Sequence, residues 1–371
     1  MSAKSRRGLQ GRLNGKRVLV CVGAGGVGKT TTSAALALGL AMRGEKVAVV
    51  TIDPARRLAS ALGLEKLSGE PHRIEPAAAG GVEIEGELWA MMLDAKRTFD
   101  DIVARLAPDE QARQEILSNP VYRELSTAVS GSQELSAIAK LYELYDEHDF
   151  DVIVLDTPPS RNALDFLDAP NRLLGFLEGR ALQVFLAPSG LTARLFGRGT
   201  ALIFAIFARV TGVDMLAELS RFFRSMVGVL DGFSEQTRGV AALLRSPETA
   251  FLIVTSPEAE PAEEAGFLAK RLEAAGMARG ELIVNRVNRD GLEGHSASEV
   301  RSLLEGELGD ALAAKVASNL ADFDVLARRD RETIERLTKT LGGQAPILVP
   351  HLEIEVQDLL GLVAVADYLF A

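Results

Sequence analysis

A glycine-rich motif near the start of the chain constrains the fold more than any other feature. Residues 23–30 read GAGGVGKT and fit the pattern G-x-x-x-x-G-K-S/T, which forms a phosphate-binding loop between a strand and a helix. The context agrees, because the apolar run 17–22 precedes the motif and the Ala- and Leu-rich stretch 30–42 follows it. Such a loop directs backbone N–H groups and a helix N-terminus at phosphate oxygens. We therefore predict that the chain binds ATP.

Side chains of the motif have separate expected tasks. Lys29 is predicted to act in catalysis by neutralising the β- and γ-phosphates, and the Thr30 hydroxyl is predicted to ligate Mg²⁺. The alternative is a glycine turn with a purely structural role. The residues of this segment predicted to bind the nucleotide are Gly23, Ala24, Gly25, Gly26, Val27, Gly28, Lys29, Thr30 and Thr31.

Two aspartates follow apolar segments, at positions where a sheet of this type carries its carboxylates. Asp156 ends the segment 152–155 and is the predicted Walker B residue, which holds Mg²⁺ directly or through water. Asp53 ends the segment 46–52, and a carboxylate there can orient or deprotonate the attacking water. The predicted metal ligands are thus Thr30, Asp53 and Asp156. Either aspartate can alternatively cap a helix or turn.

Apolar segments alternate with helical patterns along most of the chain. Uninterrupted apolar strands between helices predict an α/β fold: a mostly parallel, doubly wound P-loop NTPase sheet with helices on both faces. Two stretches, at about 95–148 and 170–247, look helical and are predicted to be insertions. We expect a basic N-terminal arm over 1–15, read as a solvated leader, and one ATPase domain over 16–371. The predicted strands are 17–22, 46–52, 151–155, 250–254, 281–284 and 346–349.

Composition excludes several classes of partner and cofactor. The net charge of −10 argues against a nucleic-acid binder, which is usually basic. The single Cys21 allows no internal disulfide and no CxxC zinc pair, so we expect no zinc and a reducing, cytoplasmic location. The longest apolar run, 201–208, is far shorter than the ~20 residues of a membrane span, so no transmembrane segment is predicted.

Several segments taken together resemble those of a known family: GGVGKTT (25–31), TIDPA (51–55), LDTPPS (155–160), IVNRV (283–287) and VPHLEIEVQDL (349–359). On these segments the chain is similar to the ATPases of the arsenite-pump and tail-anchored-protein-targeting family, in the SIMIBI branch of P-loop NTPases. This resemblance implies that Asp53 activates the water, that Asn285 reads the adenine edge, and that two copies form a homodimer with facing nucleotides. Asn285 can equally cap a turn.

The chain departs from this family in two respects. Ala24 stands where the family's loop carries a lysine that reaches the partner's phosphates, so hydrolysis needs another cation. The candidates are Arg56, Arg57 and Arg161, of which we favour Arg161 as catalytic because it follows the predicted switch II segment. Each can alternatively be a solvated surface arginine. The thiolates that hold As(III) in pump members are also missing, which makes a metalloid an implausible substrate.

An apolar segment offers a candidate partner surface. Residues 171–233 carry 8 of the 15 phenylalanines, and with seven arginines against four acidic residues their charge is +3. These side chains can form a groove for a hydrophobic polypeptide or a membrane-protein partner. They can instead be the core of a helical insertion.

The leading prediction is a Mg²⁺-dependent ATPase that works as a nucleotide-switched homodimer and binds and releases such a partner. One alternative is an ATP-binding switch or scaffold with very slow hydrolysis, consistent with the missing lysine. Another is the ATPase subunit of an anion pump, which the lack of cysteines disfavours. A chromosome-partitioning or division-site ATPase is disfavoured too, because such proteins generally keep the lysine that is absent at position 24. The division-site type also adds a basic C-terminal helix, whereas Leu359–Ala371 has no Lys or Arg.

Overall fold

The computed structural model divides into two compact units that alternate along the chain. We call them the sheet unit (1–92, 150–164 and 245–371) and the helical unit (93–149 and 165–244), and treat each by itself. The residues that the structure describes are 9–52, 57–75, 81–120, 122–123, 132–158, 174–175, 222–223, 225–353 and 356–371.

The sheet unit is built on eight strands in the order β3-β4-β2-β5-β1-β6-β7-β8. Every neighbouring pair is parallel except β3 with β4, which is antiparallel at the edge. The fold class predicted from the sequence, a mostly parallel sheet of the P-loop type, is confirmed. The strands are β1 Val18–Val22, β2 Lys46–Thr51, β3 His72–Arg73, β4 Glu87–Met92, β5 Val152–Asp156, β6 Thr249–Thr255, β7 Arg279–Val287 and β8 Ile347–Pro350.

The central strands are buried on both faces. Every residue of β1 is fully buried, and successive side chains of a strand point to opposite faces. On one face, Leu19 and Cys21 share a core with α2 and α11, while α8 contacts β6 and β7. The helices are α1 Leu9–Arg12, α2 Lys29–Ala41, α3 Arg57–Ala61, α4 Ala95–Leu106, α5 Glu110–Ser118, α6 Ser132–Glu147, α7 Val227–Leu243, α8 Ala259–Ala274, α9 Ala297–Leu308, α10 Asp310–Thr340 and α11 Leu359–Phe370.

Among the elements of the sheet unit that have no counterpart in the predictions are β3, β4, α9 and α10. β3 has only two residues, and β4 reads ELWAMM with half-buried positions between buried ones, so neither shows a continuous apolar run. The helical hairpin α9–α10 buries little: α9 has no buried residue, and α10 buries mainly small side chains such as Ala313 and Ala317. Periodicity is a weak signal for elements that bury so little apolar surface.

The described part of the N-terminal arm packs onto the sheet unit. Leu9 and Leu13 are buried, and the Arg12 guanidinium donates to the Glu281 carboxylate at 2.7 Å. Glu281 is itself buried and accepts two further contacts from Gln344 at 3.0 Å. An apolar pair at i and i+4 has therefore docked a segment whose charges alone suggested a solvated leader.

In the helical unit, α4, α6 and α7 pack on one another around a separate apolar core. Phe222 and Phe233 are buried in it, and Phe223 packs against it. Most of the segment 171–233 lies outside the described residues, including the other five phenylalanines. The assignment of 95–148 and 170–247 as insertions into one ATPase domain stays a prediction. None of the helices in the described part of the chain is both long and apolar enough to cross a membrane.

Candidate functional site

The predicted phosphate loop lies at the carboxyl ends of the central strands. β1 lies between β5 and β6, and Cys21 near its end pairs with Asp156 at the end of β5. In the sheet, β2 lies on one side of β1, next to β5, and β6 lies on the other side of β1. The chain therefore runs in one direction across the sheet after β1 and in the opposite direction after β5. Ligands of open parallel sheets bind where the strand order diverges in this way.

Two glycines of the loop have close neighbours that leave no room for a side chain. A Cβ atom at Gly23 would stand 2.0 Å from the Val254 carbonyl oxygen, so this glycine lets the loop pack against β6. Gly28 has a φ of +90°, and a Cβ atom there would stand 2.3 Å from the Asn285 side-chain nitrogen. A larger residue at position 23 would displace the loop from β6, and one at position 28 would displace the Asn285 side chain and strain the backbone.

Lys29 is the first residue of α2 and is almost buried, with 7% exposure. Its Nζ donates to the Gly23 and Ala24 carbonyl oxygens at 3.0 and 2.7 Å. The ammonium group is thus held against the first residues of the loop. A cation beside loop N–H groups suits an anionic phosphate.

Asp156 is fully buried and contacts the end of the loop through Thr30. Its Oδ2 accepts hydrogen bonds from the hydroxyls of Thr30 and Thr51 at 2.7 and 2.9 Å, and its carbonyl accepts the Ile52 N–H at 3.1 Å. A threonine hydroxyl that donates to a carboxylate keeps its lone pairs for a metal ion. Hard oxygen ligands such as these fit Mg²⁺, with Thr30 as direct ligand and Asp156 as direct or water-mediated ligand.

A cavity of about 460 Å³ opens over the loop. Three cationic residues, Lys29, Arg57 and Arg286, are among those that line it. Arg57 was one of the predicted candidate cations. Arg286 was not, although it lies in the quoted IVNRV segment, because an arginine near the end of a strand has no sequence signal for the direction of its side chain. The other lining residues are Gly26, Gly28, Thr30, Thr31, Ser60, Ala61, Thr157 and Val356.

Asn285, the predicted adenine reader, contacts the phosphate loop. Its Nδ2 donates to the Val27 carbonyl oxygen at 2.9 Å, and its Oδ1 accepts the Arg286 N–H at 2.9 Å. Each end of the amide therefore braces backbone and still has one hydrogen-bonding position left for a base. The adenine role stays a prediction.

The remaining predicted site residues are not among those the structure describes. Asp53, Arg56 and Arg161 lie outside the described residues, so their roles stay predictions. Ile52, the last described residue before position 53, donates its backbone N–H to the Asp156 carbonyl oxygen.

Cys21 carries no exposed thiol. Burial raises its pKa to about 12, against a smaller lowering by its hydrogen bond with Ser33. The thiol therefore stays protonated at neutral pH. Among the described residues no group of three or more His, Cys, Asp or Glu side chains forms a cluster suited to a metal, and the absence of zinc stays a prediction.

The arrangement around Asp156 predicts how the affinity for ATP depends on Mg²⁺. Asp156→Asn keeps an oxygen for the Thr30 and Thr51 hydroxyls but removes the charge, so the gain in ATP affinity from Mg²⁺ should fall about ten-fold. Calorimetric titration with Mg²⁺ and with EDTA measures this gain. Thr51→Val, which removes one hydrogen bond and no ligand, should retain it. An unchanged gain in Asp156→Asn would remove Asp156 from the metal site.

Comparison with known proteins agrees with this geometry. The sequence model of the family described as anion-transporting ATPase matches residues 16–302. The chain is 28% identical over 228 residues to ATPase GET3 of Malassezia globosa, covering 59% of this chain and 60% of the relative. It is 34% identical over 154 residues to ATPase ASNA1 homolog 2 of Paramecium tetraurelia, covering 40% and 42% respectively. It is 27% identical over 249 residues to a protein of Aquifex aeolicus named as an arsenical pump-driving ATPase, covering 65% and 56%. The matches thus span roughly half the length of these relatives.

Proposed function

Because this chain belongs to the anion-transporting ATPase family, we propose that it is a Mg²⁺-dependent ATPase that works in the cytoplasm as a nucleotide-switched homodimer. The observation that carries the proposal is the hydrogen bond of 2.7 Å between the Thr30 hydroxyl and the Asp156 carboxylate. It joins the end of the phosphate loop to the end of β5, at the point where a nucleotide-bound metal would sit. Lys29 and the loop N–H groups complete a site for the phosphates.

The side chains divide the work of hydrolysis between them. Bound Mg²⁺ would supply positive charge to the phosphate oxygens. Lys29 and the loop N–H groups bind and orient the phosphate chain, Asp156 holds the Thr30 hydroxyl in place, and Asp53 positions the attacking water and accepts its proton. Arg161 is the favoured source of the remaining positive charge, with Arg56 and Arg57 as alternatives.

The direct test uses the full chain with ATP, with Mg²⁺ or EDTA, and measures phosphate release and particle mass. We expect Mg²⁺-dependent release and the mass of two copies. Phosphate release that persists in EDTA would contradict the metal assignment, and the mass of a single copy both with and without nucleotide would contradict the homodimer. A single Arg→Ala variant at 56, 57 or 161 that loses turnover would identify the missing cation.

Because Ala24 replaces the family's lysine, two versions of this function differ in the expected rate of hydrolysis. If no arginine replaces the family's lysine, the chain binds ATP and turns it over very slowly, as a switch or scaffold. Turnover against ATP concentration distinguishes this version from an efficient ATPase. The anion-pump alternative is less well supported, because Cys21 is buried and protonated and arsenite has no thiolate to bind.

We further propose that the segment 171–233 binds a hydrophobic polypeptide or a membrane-protein partner. The support is its composition, with eight phenylalanines and a charge of +3, and the family's targeting members. The described residues reduce the available surface, since Phe222 and Phe233 already serve the core of the helical unit. The proposed groove therefore depends on the phenylalanines at 176, 185, 196, 204 and 207.

Hydrogen exchange across 171–233, with and without ATP, tests the partner surface. We expect amides near Phe222 and Phe233, which lie in the core, to be protected in both states. The exchange rates of amides in 176–207 should change when ATP is added, and the chain should capture a hydrophobic helical peptide. Uniform protection that ATP does not alter, together with no capture, would make the segment a structural insertion.

A further inference from the structure

Arg286 has an unusual backbone conformation. Its φ is +59°, in the left-handed region, which residues with a side chain rarely adopt and which glycine or asparagine adopts more easily. Arg286 is exposed and lines the cavity over the phosphate loop. A strained conformation at the wall of a binding cavity is a reason to look for a function of that side chain.

The neighbours of Arg286 hold this conformation on both sides. Before it, Asn285 bonds to the Val27 carbonyl oxygen and to the Arg286 N–H. After it, the Val287 carbonyl accepts the His351 N–H at 2.9 Å, and the Asn288 backbone and side-chain nitrogens donate to Asp330 at 2.9 and 2.8 Å. Asp330 is only 1% exposed. The end of β7 is thus anchored through the buried Asp330 carboxylate and the phosphate loop, and the guanidinium is presented from a fixed base.

The position of Arg286 differs from that of Lys29. The Lys29 ammonium lies against Gly23 and Ala24, at the beginning of the loop. Arg286 follows the residue that contacts Val27 and Gly28, at the end of the loop where α2 begins. Two cations at opposite ends of one phosphate loop suit different phosphates of one nucleotide.

We propose that Arg286 binds the nucleotide through the phosphate attached to the ribose, as a cation supplied by the same chain. This assignment rests on the proposed nucleotide site, and it adds a specificity-determining residue to it. Arginine suits the task because its planar, always charged group can form two parallel hydrogen bonds to phosphate oxygens. It also explains why a residue disfavoured at positive φ stands here in place of glycine.

Arg286→Gly separates the binding role from a structural role. Glycine accepts the positive φ at no steric cost but removes the guanidinium. We expect the variant to bind ATP, ADP and AMP about ten-fold more weakly than wild type, because each carries the phosphate next to the ribose. Its affinity for adenosine should not change. Its melting temperature without nucleotide should be unchanged or higher, since the backbone strain is relieved.

Two further variants serve as controls in the same calorimetric titrations. Arg286→Lys keeps a positive charge and should recover part of the lost affinity. Arg289→Ala removes an arginine three residues further on, which instead donates to the Tyr368 hydroxyl and lies over its ring, and should bind nucleotides like wild type.

Several outcomes would overturn the proposal. If Arg286→Gly binds AMP with wild-type affinity, the proposal is wrong, even if ATP and ADP bind more weakly. A lower melting temperature with weaker adenosine binding would also overturn it, because it would indicate a structural arginine. If the wild-type chain binds none of the nucleotides, the proposed function falls with this inference. If wild type and Arg286→Gly bind equally well, only the inference falls.

Discussion

Lys29→Ala should weaken ATP binding by at least about thirty-fold, because a charge-assisted contact with phosphate is worth about 2 kcal/mol or more. The ammonium is almost buried and lies against the Gly23 and Ala24 carbonyl oxygens, where few water molecules screen its charge. Calorimetric titration of ATP with Mg²⁺ measures the loss. Unchanged affinity would remove Lys29 from the phosphate site.

The same side chain also braces the loop, so the experiment needs a variant that separates charge from structure. Lys29→Gln has no charge but can still donate to a loop carbonyl, and it should lose affinity while keeping the melting temperature of the nucleotide-free protein. Lys270→Ala removes an exposed lysine from α8 and should alter neither quantity. If Lys29→Gln binds ATP like wild type, the ammonium has a structural role only.

Asp53→Asn should leave ATP binding and its Mg²⁺ dependence intact but slow hydrolysis by about two or more orders of magnitude. The reason is that an amide can orient a water molecule but cannot accept its proton, and general base catalysis typically contributes 10²–10⁴-fold. Ile52, directly before this position, donates its N–H to the backbone carbonyl of Asp156, a predicted metal ligand. Single-turnover phosphate release with saturating ATP measures the step.

A matched control for this variant lies at the other end of the sheet. Asp151 precedes β5, at its amino end, and accepts the Lys46 N–H at 2.8 Å. Asp151→Asn should leave the single-turnover rate unchanged. Wild-type rates in Asp53→Asn would show that another group activates the water.

The phosphate loop and the central strands were predictable from the sequence because both depend on local chemistry. The glycine pattern followed by Lys29 and Thr30 encodes a loop ahead of a helix, and continuous apolar runs encode strands buried on both faces. The order β5-β1-β6 was not encoded locally. It follows from packing between distant segments, and it alone brings Asp156 within 2.7 Å of Thr30 across 126 positions of the chain.

Other features were not predictable from the sequence because each depends on the burial of one or two side chains or on a single hydrogen bond. Leu9 and Leu13 bury the end of an arm whose charge had suggested exposure. The antiparallel edge strand β3 consists of two residues paired with β4. The resemblance made Asn285 an adenine reader, whereas in the structure its amide also braces the phosphate loop and the backbone of Arg286.

The sequence by itself determined that the chain carries a phosphate loop on a parallel sheet, because residue types and their spacing specify those elements over short distances. Only the tertiary structure decided which cations line the cavity over that loop. A side chain's direction depends on the backbone dihedrals of its residue, and at Arg286 these are set by hydrogen bonds to Val27, His351 and Asp330. These bonds are made by the neighbours Asn285, Val287 and Asn288, and each joins residues at least 42 positions apart in the chain.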